Sequence, residues 1–311
     1  MRNLKDYLII SLKGVAMGAA DVIPGVSGGT IAFITGIYEE LINSIKAIYP
    51  NGLKLLLKFQ IVPFWKEING NFLASLVGGI AFSIITLARL LKFLLEQYPI
   101  MIWSFFFGLI VASAIYVFRS VKQWNAAVAL ASVTGVIIAA VITSIVPAEA
   151  NTSWYFIIFS GAIAICAMIL PGISGSFILV LLGMYKFILD ALSSFELPVI
   201  LLFILGAIIG IVSFSNLLSW LLRKFHDLTI GLLAGFMFGS LNKVWPWKVV
   251  TESFTDRHGN LRPLVEDNVL PSTFTEATGI NPMLIGALLM AAIGFLLIFM
   301  VEGLTKPKKR A

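Results

Sequence analysis

Apolar residues form long runs along most of this chain, and short polar stretches separate the runs. A helix needs about 20 consecutive apolar residues to cross a hydrocarbon core about 30 Å thick. Several runs are uninterrupted and close to that length, which predicts membrane-spanning helices. The candidate spans are Phe72 to Leu91, Ile100 to Phe118, Ala126 to Val146, Pro198 to Leu222, Thr229 to Trp245 and Met283 to Val301.

Two further apolar segments are each broken by a similar short motif. The first motif is PGVSGG at residues 24–29, and the second is PGISGS at residues 171–176. Membrane transporters use such breaks, because an interrupted helix exposes backbone polar groups to a polar ligand at the depth of the bilayer midplane. The repeated motif therefore favours a transporter.

The two motifs lie within a longer internal repeat. Residues 14–45 align without a gap with residues 161–192, and the similarity continues after a linker that is longer in the first half. Such duplication is typical of transporters that are built from repeats. We predict one integral membrane domain with two halves, residues 1–150 and 151–311.

Charge distribution separates two arrangements of the motif segments. Each segment could cross the membrane with a kink, or form a re-entrant helical hairpin whose tip is the Pro-Gly turn. With hairpins at about residues 13–45 and 154–192, roughly two thirds of the 22 Lys and Arg residues lie on the cytoplasmic side, whereas two kinked spans divide them evenly. The positive-inside rule thus favours the hairpins and places both termini in the cytoplasm. We predict an all-α polytopic fold with an inverted repeat, in which each half is a re-entrant helical hairpin plus three transmembrane helices and the two tips meet near the midplane.

The residues at the two tips are suited to an anion. Ser27 can cap the helix that restarts, and the small residues behind it leave amide N–H groups unobstructed at the positive end of a helix dipole. The second motif repeats this arrangement from the opposite side, so the two helix N-termini would form a cradle for a phosphate or a carboxylate. The alternative is that Pro-Gly only kinks the helices and the glycines allow close packing. The predicted phosphate-binding residues are Ser27, Gly28, Gly29, Thr30, Ser174, Gly175 and Ser176, and the predicted hairpin turns are formed by Pro24, Gly25, Pro171 and Gly172.

Two acidic residues are candidates for coupling transport to a proton or another cation. Asp21 lies three residues before Pro24 in an otherwise apolar stretch, and its counterpart in the second half is Met168. Carboxylates inside a membrane are expensive and usually face a partner, a cavity or an ion path. Asp21 is therefore a candidate either for coupling or for fixing the hairpin through hydrogen bonds. Glu39 is the second candidate, with pairing to a base or a place at the membrane interface as the alternatives.

Basic residues mark the predicted cytoplasmic side. Arg119 and Arg223 fall at the ends of candidate spans, where such residues usually anchor the topology; the other interpretation is that they gather an anionic lipid headgroup. The basic tail, residues 306–310, predicts an anchor at an anionic leaflet and not an arm that binds nucleic acid. Residues 243–282 lie outside in this topology and have the composition of a lid or loop.

Composition agrees with this interpretation. The chain is 59% hydrophobic and 12% charged, with a mean hydropathy of +0.97, as in polytopic membrane proteins. A single cysteine, Cys166, allows no disulfide framework, and the two histidines lack the spacing of metal ligands. The sequence offers no nucleophile or metal cluster that would indicate an enzyme, and we expect no cofactor and no metal. A small-anion or ion channel or transporter could use the same helix N-termini and is the alternative function.

The motif segments resemble those of a known bacterial family. The stretch GVAMGAADVIPGVSGGTIAFITGIYEELI at residues 14–42, followed by ILPGISGSFILVLLGMY at residues 169–185, closely resembles the polyprenyl-phosphate transporters, which include undecaprenyl-phosphate translocases. The resemblance covers nearly the whole chain. It assigns Asp21 and the motif residues named above to the family pattern.

The resemblance implies a flippase of the bacterial cell membrane. Its substrate would be undecaprenyl phosphate, the lipid carrier of peptidoglycan and other cell-wall glycans, which must return from the outer to the cytoplasmic leaflet. The implied partners are this lipid and the bilayer, and a homodimer is compatible with the prediction. As a mechanism, we hypothesise that the phosphate binds between the hairpin tips while one half rocks against the other, and that the polyprenyl tail stays in lipid.

Overall fold

The computed structural model describes residues 2–21, 27–145, 148, 150–255 and 261–305. Pro24 and Gly25, which we predicted to form the first hairpin turn, lie outside the described residues, as does the basic tail. The described chain is mostly helical.

The helices of the first half begin with three short or medium elements around the first motif. A π-helical turn, Ile48–Gly52, and two short helices then lead to three long ones. Among the described residues, these helices are α1 (Leu4–Asp21), α2 (Gly28–Ile34), α3 (Tyr38–Ala47), α4 (Leu53–Leu57), α5 (Ile61–Glu67), α6 (Gly70–Gln97), α7 (Pro99–Arg119) and α8 (Ala126–Ser144).

The second half repeats this order without the two short linker helices. In the described residues, it contains α9 (Trp154–Ile169), α10 (Gly175–Leu181), α11 (Tyr185–Ser193), α12 (Leu197–Lys224), α13 (His226–Gly239), α14 (Pro271–Thr278) and α15 (Leu284–Thr305). The six predicted spans fall on α6, α7, α8, α12, α13 and α15, of which α6, α7, α8 and α12 are long and apolar enough to cross a membrane.

The long apolar helices make the chain a multi-pass membrane protein. Within the described residues, four helices are long and apolar enough to cross a membrane, and α10 with α11 would add a fifth crossing if this pair, bent by 111°, is one broken span. α13 is shorter than predicted, because it ends at Gly239 and not at Trp245. The 3₁₀ turn Ser240–Asn242 follows it, and Pro246 has no amide hydrogen with which to continue a helix.

The two halves share a pattern of helix packing as well as a sequence pattern. α1 packs on α6, and α9 packs on α12. An added Cβ on Gly79 would collide with the backbone of Ser11, and one on Gly206 would collide with the backbone of Ile158. These two pairs occupy equivalent positions in the repeat. Small residues at such positions allow helices to pack closely where lipid provides no hydrophobic driving force between them.

Helices of the first half also pack on helices of the second half. α7 of the first half packs on α15 of the second, α8 packs on α13, and α7 contacts α13 between these pairs. Glycines again bring the backbones together, since an added Cβ on Gly108 would collide with Ala291 and one on Gly235 with Ser132. The two halves are therefore interlocked.

Residues 243–282, which we call the β-segment, contain more regular structure than the lid or loop that we predicted. Strand β1 (Lys248–Thr255) pairs antiparallel with strand β2 (Leu261–Asn268), and α14 follows them. This sheet is the departure from the predicted all-α fold in the described residues. The valines and threonines of β1 favour a strand, and the acidic residues of this stretch disfavour a membrane-spanning helix.

Two tryptophans brace the β-segment through hydrogen bonds within it and pack their rings against α7. The indole Nε1 of Trp245 donates to the carbonyl of Val269 at 2.9 Å, and that of Trp247 donates to the carbonyl of Pro282 at 2.9 Å. Trp247 also packs in an apolar cluster with Ile100, at the start of α7. The β-segment is thus fixed to the end of the helical bundle at which α7 begins.

Candidate functional site

The second motif forms a turn between α9 and α10. Gly172 has a φ of +90°, a backbone conformation that favours glycine, and an added Cβ there would lie 2.9 Å from the Cα of Met237 in α13. An added Cβ on Gly175 would lie 2.6 Å from the carbonyl oxygen of Ala164. α10 therefore folds back against α9, and the turn at Pro171 and Gly172 rests on α13.

Groups in and near the first motif accept hydrogen bonds from the first backbone amides of α2. The amide of Gly28 donates to Asp21 Oδ1 at 2.7 Å, the amide of Gly29 donates to Ser27 Oγ at 3.1 Å, and the amide of Thr30 donates to the carbonyl of Ser27 at 3.0 Å. We expected these amides to be unobstructed, and in this conformation they are not. A carboxylate is favourable at this position because a helix N-terminus carries a partial positive charge.

Asp21 therefore has the hydrogen-bonding role that we considered beside coupling. Its carboxylate comes from the last residue of α1 and holds the first residue of α2, so it fixes the angle between the two helices. The side chain occupies the place at the amide of Gly28 that we predicted for the phosphate. Both groups are anions, so they would compete for this amide.

The two motifs meet directly. Ser27 Oγ donates to the carbonyl of Leu170 at 3.1 Å, and Thr30 Oγ1 accepts from the amide of Gly172 at 3.0 Å. Tyr38 OH donates to the carbonyl of Ile169 at 3.1 Å. These three hydrogen bonds link side chains of the first half to the backbone of residues 169–172, at the start of the second motif and just before it, and we call this contact the motif junction.

The second motif does not return these contacts. Ser174 Oγ and Ser176 Oγ bond each other at 2.7 Å, and Ser174 makes no side-chain capping bond to α10. In the part of the chain that the structure describes, the amides of Gly175, Ser176 and Phe177 have no hydrogen-bond partner. Among the described residues, the first amides of α10 thus lack the partners that those of α2 have.

The motif junction is closed in this conformation. Ser27 and Thr30 are each only 1% exposed, and Ser174 is 6% exposed. A cavity of about 270 Å³ lies elsewhere, at the start of α13, lined by Lys122, His226 and their neighbours. A second, of about 450 Å³, lies where α7 and the end of α13 face the β-segment. A ligand can reach the junction only if the two motifs separate.

Glu39 and the two candidate arginines lie away from the motif junction. The Glu39 carboxylate is 64% exposed and lies 3.6 Å from Nε2 of His226, so it faces a base, as one of our alternatives held. The Arg119 guanidinium lies 5.4 Å from the ring centroid of Phe299. Arg223 Nε donates to the carbonyl of Ser219, four residues earlier in α12.

Sequence analysis missed the role of Tyr38 and the placement of two lysines. Tyr38 is repeated as Tyr185 in the second half, and that identity was the available signal. Lys243 and Lys248 flank the aromatic WPW sequence; Lys243 lies beside Phe177, the first residue after the second motif, and Lys248 contacts Lys243. Nothing in the linear sequence connects them with that motif. Among the described residues, no three His, Cys, Asp or Glu side chains are grouped so that they could hold a metal ion.

Comparisons with known proteins agree on one family. A family model described as undecaprenyl phosphate translocase-like matches residues 17–262, a range that contains both motifs. A protein of Vibrio cholerae serotype O1 (strain ATCC 39315 / El Tor Inaba N16961), named polyprenyl-phosphate transporter, is 47% identical over 295 residues, which cover 94% of this chain and 96% of that protein.

A more distant relative carries the same name. The polyprenyl-phosphate transporter of Staphylococcus aureus (strain NCTC 8325 / PS 47) is 32% identical over 256 residues, which cover 76% of this chain and 85% of that protein. No solved structure matches the chain significantly. The similarity to both relatives extends well beyond the motifs.

Proposed function

This chain belongs to the undecaprenyl phosphate translocase-like family, and on that premise we propose that it is a flippase for undecaprenyl phosphate. It returns this lipid from the outer to the cytoplasmic leaflet of the bacterial cell membrane. The relatives are named as transporters, and we propose no catalytic step.

The motif junction is the observation that carries the proposal. An unassisted phosphate would have to enter hydrocarbon, and the idealised desolvation of such an ion costs on the order of 20 kcal/mol. Backbone amides and hydroxyl groups can replace the lost water. The junction brings two such sets of groups together from the two halves of the chain, inside a bundle of apolar helices.

We propose that the phosphate first binds at the second motif. The amides of Gly175 and Ser176 lack a partner within the described residues, and the hydroxyls of Ser174 and Ser176, which bond each other, lie beside them. The first motif takes part when the junction opens, through Ser27 and the amides behind it. The tail stays in the lipid throughout.

Ligand binding can supply the free energy that is needed to open the motif junction. Three hydrogen bonds join the two motifs, and each contributes about 1 kcal/mol net. New hydrogen bonds from the phosphate can offset their loss. The conformation described here then represents a closed intermediate, and rocking of one half against the other exposes the site to each leaflet in turn.

Asp21 supplies a route to proton coupling. Its carboxylate accepts from the amide of Gly28, so it competes with a phosphate for the same donor. A proton on Asp21 would remove the negative charge and let the phosphate take the amide. An Asp21→Asn protein should then transport at a rate that no longer responds to an imposed pH gradient. An unchanged response would remove Asp21 from the coupling step.

The test of the whole proposal is movement of undecaprenyl phosphate across the bilayer of liposomes that contain the purified protein. Wild type is compared with a Ser27→Ala plus Ser174→Ala protein, which should lose protein-dependent movement. Ser113→Ala is the matched control, because Ser113 is equally buried and bonds only a carbonyl of its own helix. Absence of movement above protein-free liposomes, combined with flux of soluble anions, would replace the flippase by a small-anion channel.

The proposed topology has both termini in the cytoplasm and a re-entrant hairpin at the start of each half, residues 1–150 and 151–311. The repeated order of elements and the exchange of α7 and α8 with the other half support it. In a Cys166→Ser background, a cysteine in place of Glu276 in α14 should react with an impermeant thiol reagent added outside whole cells. A cysteine in place of Lys122 should react only after the membrane is opened.

A further inference from the structure

We propose that Lys243 and Lys248 form a second binding site, which receives the phosphate monoester headgroup of an amphiphile before it reaches the second motif. The inference rests on the proposed function and adds an entry site to it. This site lies between the β-segment and the helices, on the side of the second motif.

Lys248 is a buried cation that aromatic and polar groups hold in place. Its side chain is 8% exposed, and its Nζ lies 4.2 Å from the ring centroid of Trp103 in α7. Nζ donates to the carbonyl of Lys243 at 2.7 Å and lies 3.5 Å from Glu266 Oε2. The ammonium is therefore fixed at the end of the bundle by contacts from α7, from the start of the β-segment and from β2.

Lys243 connects this cluster with the second motif. Its Nζ lies 5.0 Å from the ring centroid of Phe177, which belongs to the first turn of α10. Lys243 follows the 3₁₀ turn after α13, six residues beyond the Met237 that Gly172 contacts, which is about 9 Å along a helix axis. The ammonium of Lys243 is thus a near neighbour of the unsatisfied N-terminus of α10.

The cluster of Lys243, Lys248 and Glu266 has an excess of positive charge that an anion would balance. Within the described residues, both ammonium groups pair with the same carboxylate, because Lys243 Nζ lies 3.6 Å and Lys248 Nζ 3.5 Å from Glu266 Oε2. Buried charges are normally paired, and here two positive charges face one negative charge. A phosphate monoester carries about −1.5 to −2 charges at pH 7 and would supply the missing negative charge.

The surroundings suit an amphiphile better than a free ion. Trp103 and Phe177 place aromatic faces beside the two ammonium groups. Trp103 lies one helical turn before Phe107, which lines the cavity of about 450 Å³ together with Trp245. A phosphate bound by the lysines could therefore lay an apolar chain along aromatic rings. Inorganic phosphate would gain only the charge interaction.

The rival explanation is that the three charges simply hold the β-segment to the helices. The two explanations predict opposite results for Glu266→Gln. If Glu266 competes with a ligand for the lysines, its removal makes phosphate binding tighter. If the cluster only holds the β-segment, its removal lowers the melting temperature and leaves binding unchanged.

The experiment measures equilibrium binding of radiolabelled farnesyl phosphate, and separately of inorganic phosphate, to the purified full chain in nanodiscs of uncharged lipid. We expect Lys243→Gln and Lys248→Gln to bind farnesyl phosphate at least about tenfold more weakly, the loss of about 1.4 kcal/mol. Glu266→Gln should bind several-fold more tightly. Lys186→Gln, which removes an exposed positive charge in the same half, should bind like wild type.

The outcomes separate this inference from the proposed function. Wild-type affinity in both lysine variants, with loss of binding only in Ser27→Ala plus Ser174→Ala, would overturn the lysine site and leave the flippase standing. Absence of farnesyl phosphate binding to wild type would overturn both. Equal affinity for inorganic phosphate would show that the site recognises the phosphate group and not the apolar chain of the ligand. It would overturn the claim that the ligand is an amphiphile.

If the Lys→Gln variants fail to fold, two other variants still test the proposal. Lys248→Arg keeps the charge and should keep farnesyl phosphate binding. Glu266→Gln retains both lysines, and an affinity no higher than that of wild type in this variant would by itself overturn the site.

Discussion

The two motifs are nearly the same in sequence and differ in what their polar groups do. In the first motif, Asp21 and Ser27 satisfy the first amides of α2. In the second, Met168 stands where the first has Asp21, and the first amides of α10 have no partner in the described chain. One side chain thus separates a helix N-terminus that Asp21 closes from one whose first amides have no partner within the described residues.

The comparison assigns different tasks to the two halves. The first motif is internally complete and donates or accepts the side-chain hydrogen bonds of the junction through Ser27, Thr30 and Tyr38. The second motif contributes only backbone groups to that junction. The first therefore serves as a scaffold that closes on the second, and an anion can compete for the second first.

The largest effect is expected when the second motif is given the acidic residue of the first, by the substitution Met168→Asp. An added Cβ on Gly175 would lie 2.5 Å from Met168 Cγ, so a side chain at position 168 reaches the start of α10. A carboxylate in Met168→Asp should accept from these amides and repel a phosphate. Since a charged hydrogen bond is worth about 1.5–3 kcal/mol, we expect transport to fall by roughly 10- to 100-fold.

Transport of undecaprenyl phosphate in liposomes measures this effect. Met168→Leu keeps the position apolar and is the matched control, which should transport at close to the wild-type rate. Full activity of Met168→Asp in a folded protein would mean that the amides of α10 do not bind the phosphate.

The reverse change removes the cap of the first motif. Asp21→Met leaves the buried amide of Gly28 without its acceptor, which should lower the free energy of unfolding by about 1–3 kcal/mol. Denaturant unfolding in detergent measures the loss. Asp21→Asn retains an oxygen acceptor and should lose less. Equal unfolding midpoints for wild type and Asp21→Met would contradict a capping role.

A smaller effect is expected from loosening the junction itself. Thr30→Val removes the acceptor of the Gly172 amide, at a cost of about 1 kcal/mol. Hydrogen exchange at Gly172 should become faster while exchange in α7 stays unchanged. Thr35→Val is the control, because Thr35 Oγ1 donates only to carbonyls of its own helix. Unchanged exchange at Gly172 would show that the Thr30 bond does not hold the motifs together.

The smallest effect is expected from pH and concerns Lys248, which bonds the carbonyl of Lys243, the neighbour of Phe177 in α10. Burial lowers the pKa of Lys248 from 10.5 to about 8, with Glu266 opposing this shift and Lys243 adding to it. Between these two values the unfolded chain binds more protons than the folded one, so stability should rise with pH. Over the same range the neutral amine should bind phosphate less well.

Melting temperatures and farnesyl phosphate affinities between pH 7 and pH 10 test the expected rise in stability and the expected fall in affinity. Wild type should gain stability relative to Lys248→Met as the pH rises, and it should lose affinity several-fold. Lys248→Arg stays charged and should keep its affinity. A wild-type affinity that does not change over this range would argue against Lys248 as a ligand.

Much of the fold could be predicted because membrane helices are specified by local composition. The runs from Phe72 to Leu91 and from Ala126 to Val146 coincide with α6 and α8 for that reason. The β-segment was missed because the alternation in β1 is weak. It is stabilised by contacts that are distant in sequence, such as Trp247 with Pro282.

The candidate site was predictable in its residues and less so in their bonding. The motifs and Asp21 stand out in the sequence because polar and turn-forming residues are rare in apolar segments. That Asp21 would bond the amide of Gly28, and that Thr30 would bond Gly172 across 142 residues of sequence, required the chain reversals to be known.

The class of this protein, its long spanning helices, its duplication and its two motifs follow from local hydropathy and from repeated residues, and the sequence predicts them. The packing of helices between the halves, the partners of the motif amides among the described residues and the place of Lys243 beside α10 depend on the tertiary structure. The physical reason is that apolar helices of similar composition can pack in many ways. Close glycine contacts and hydrogen bonds between distant segments select one of them.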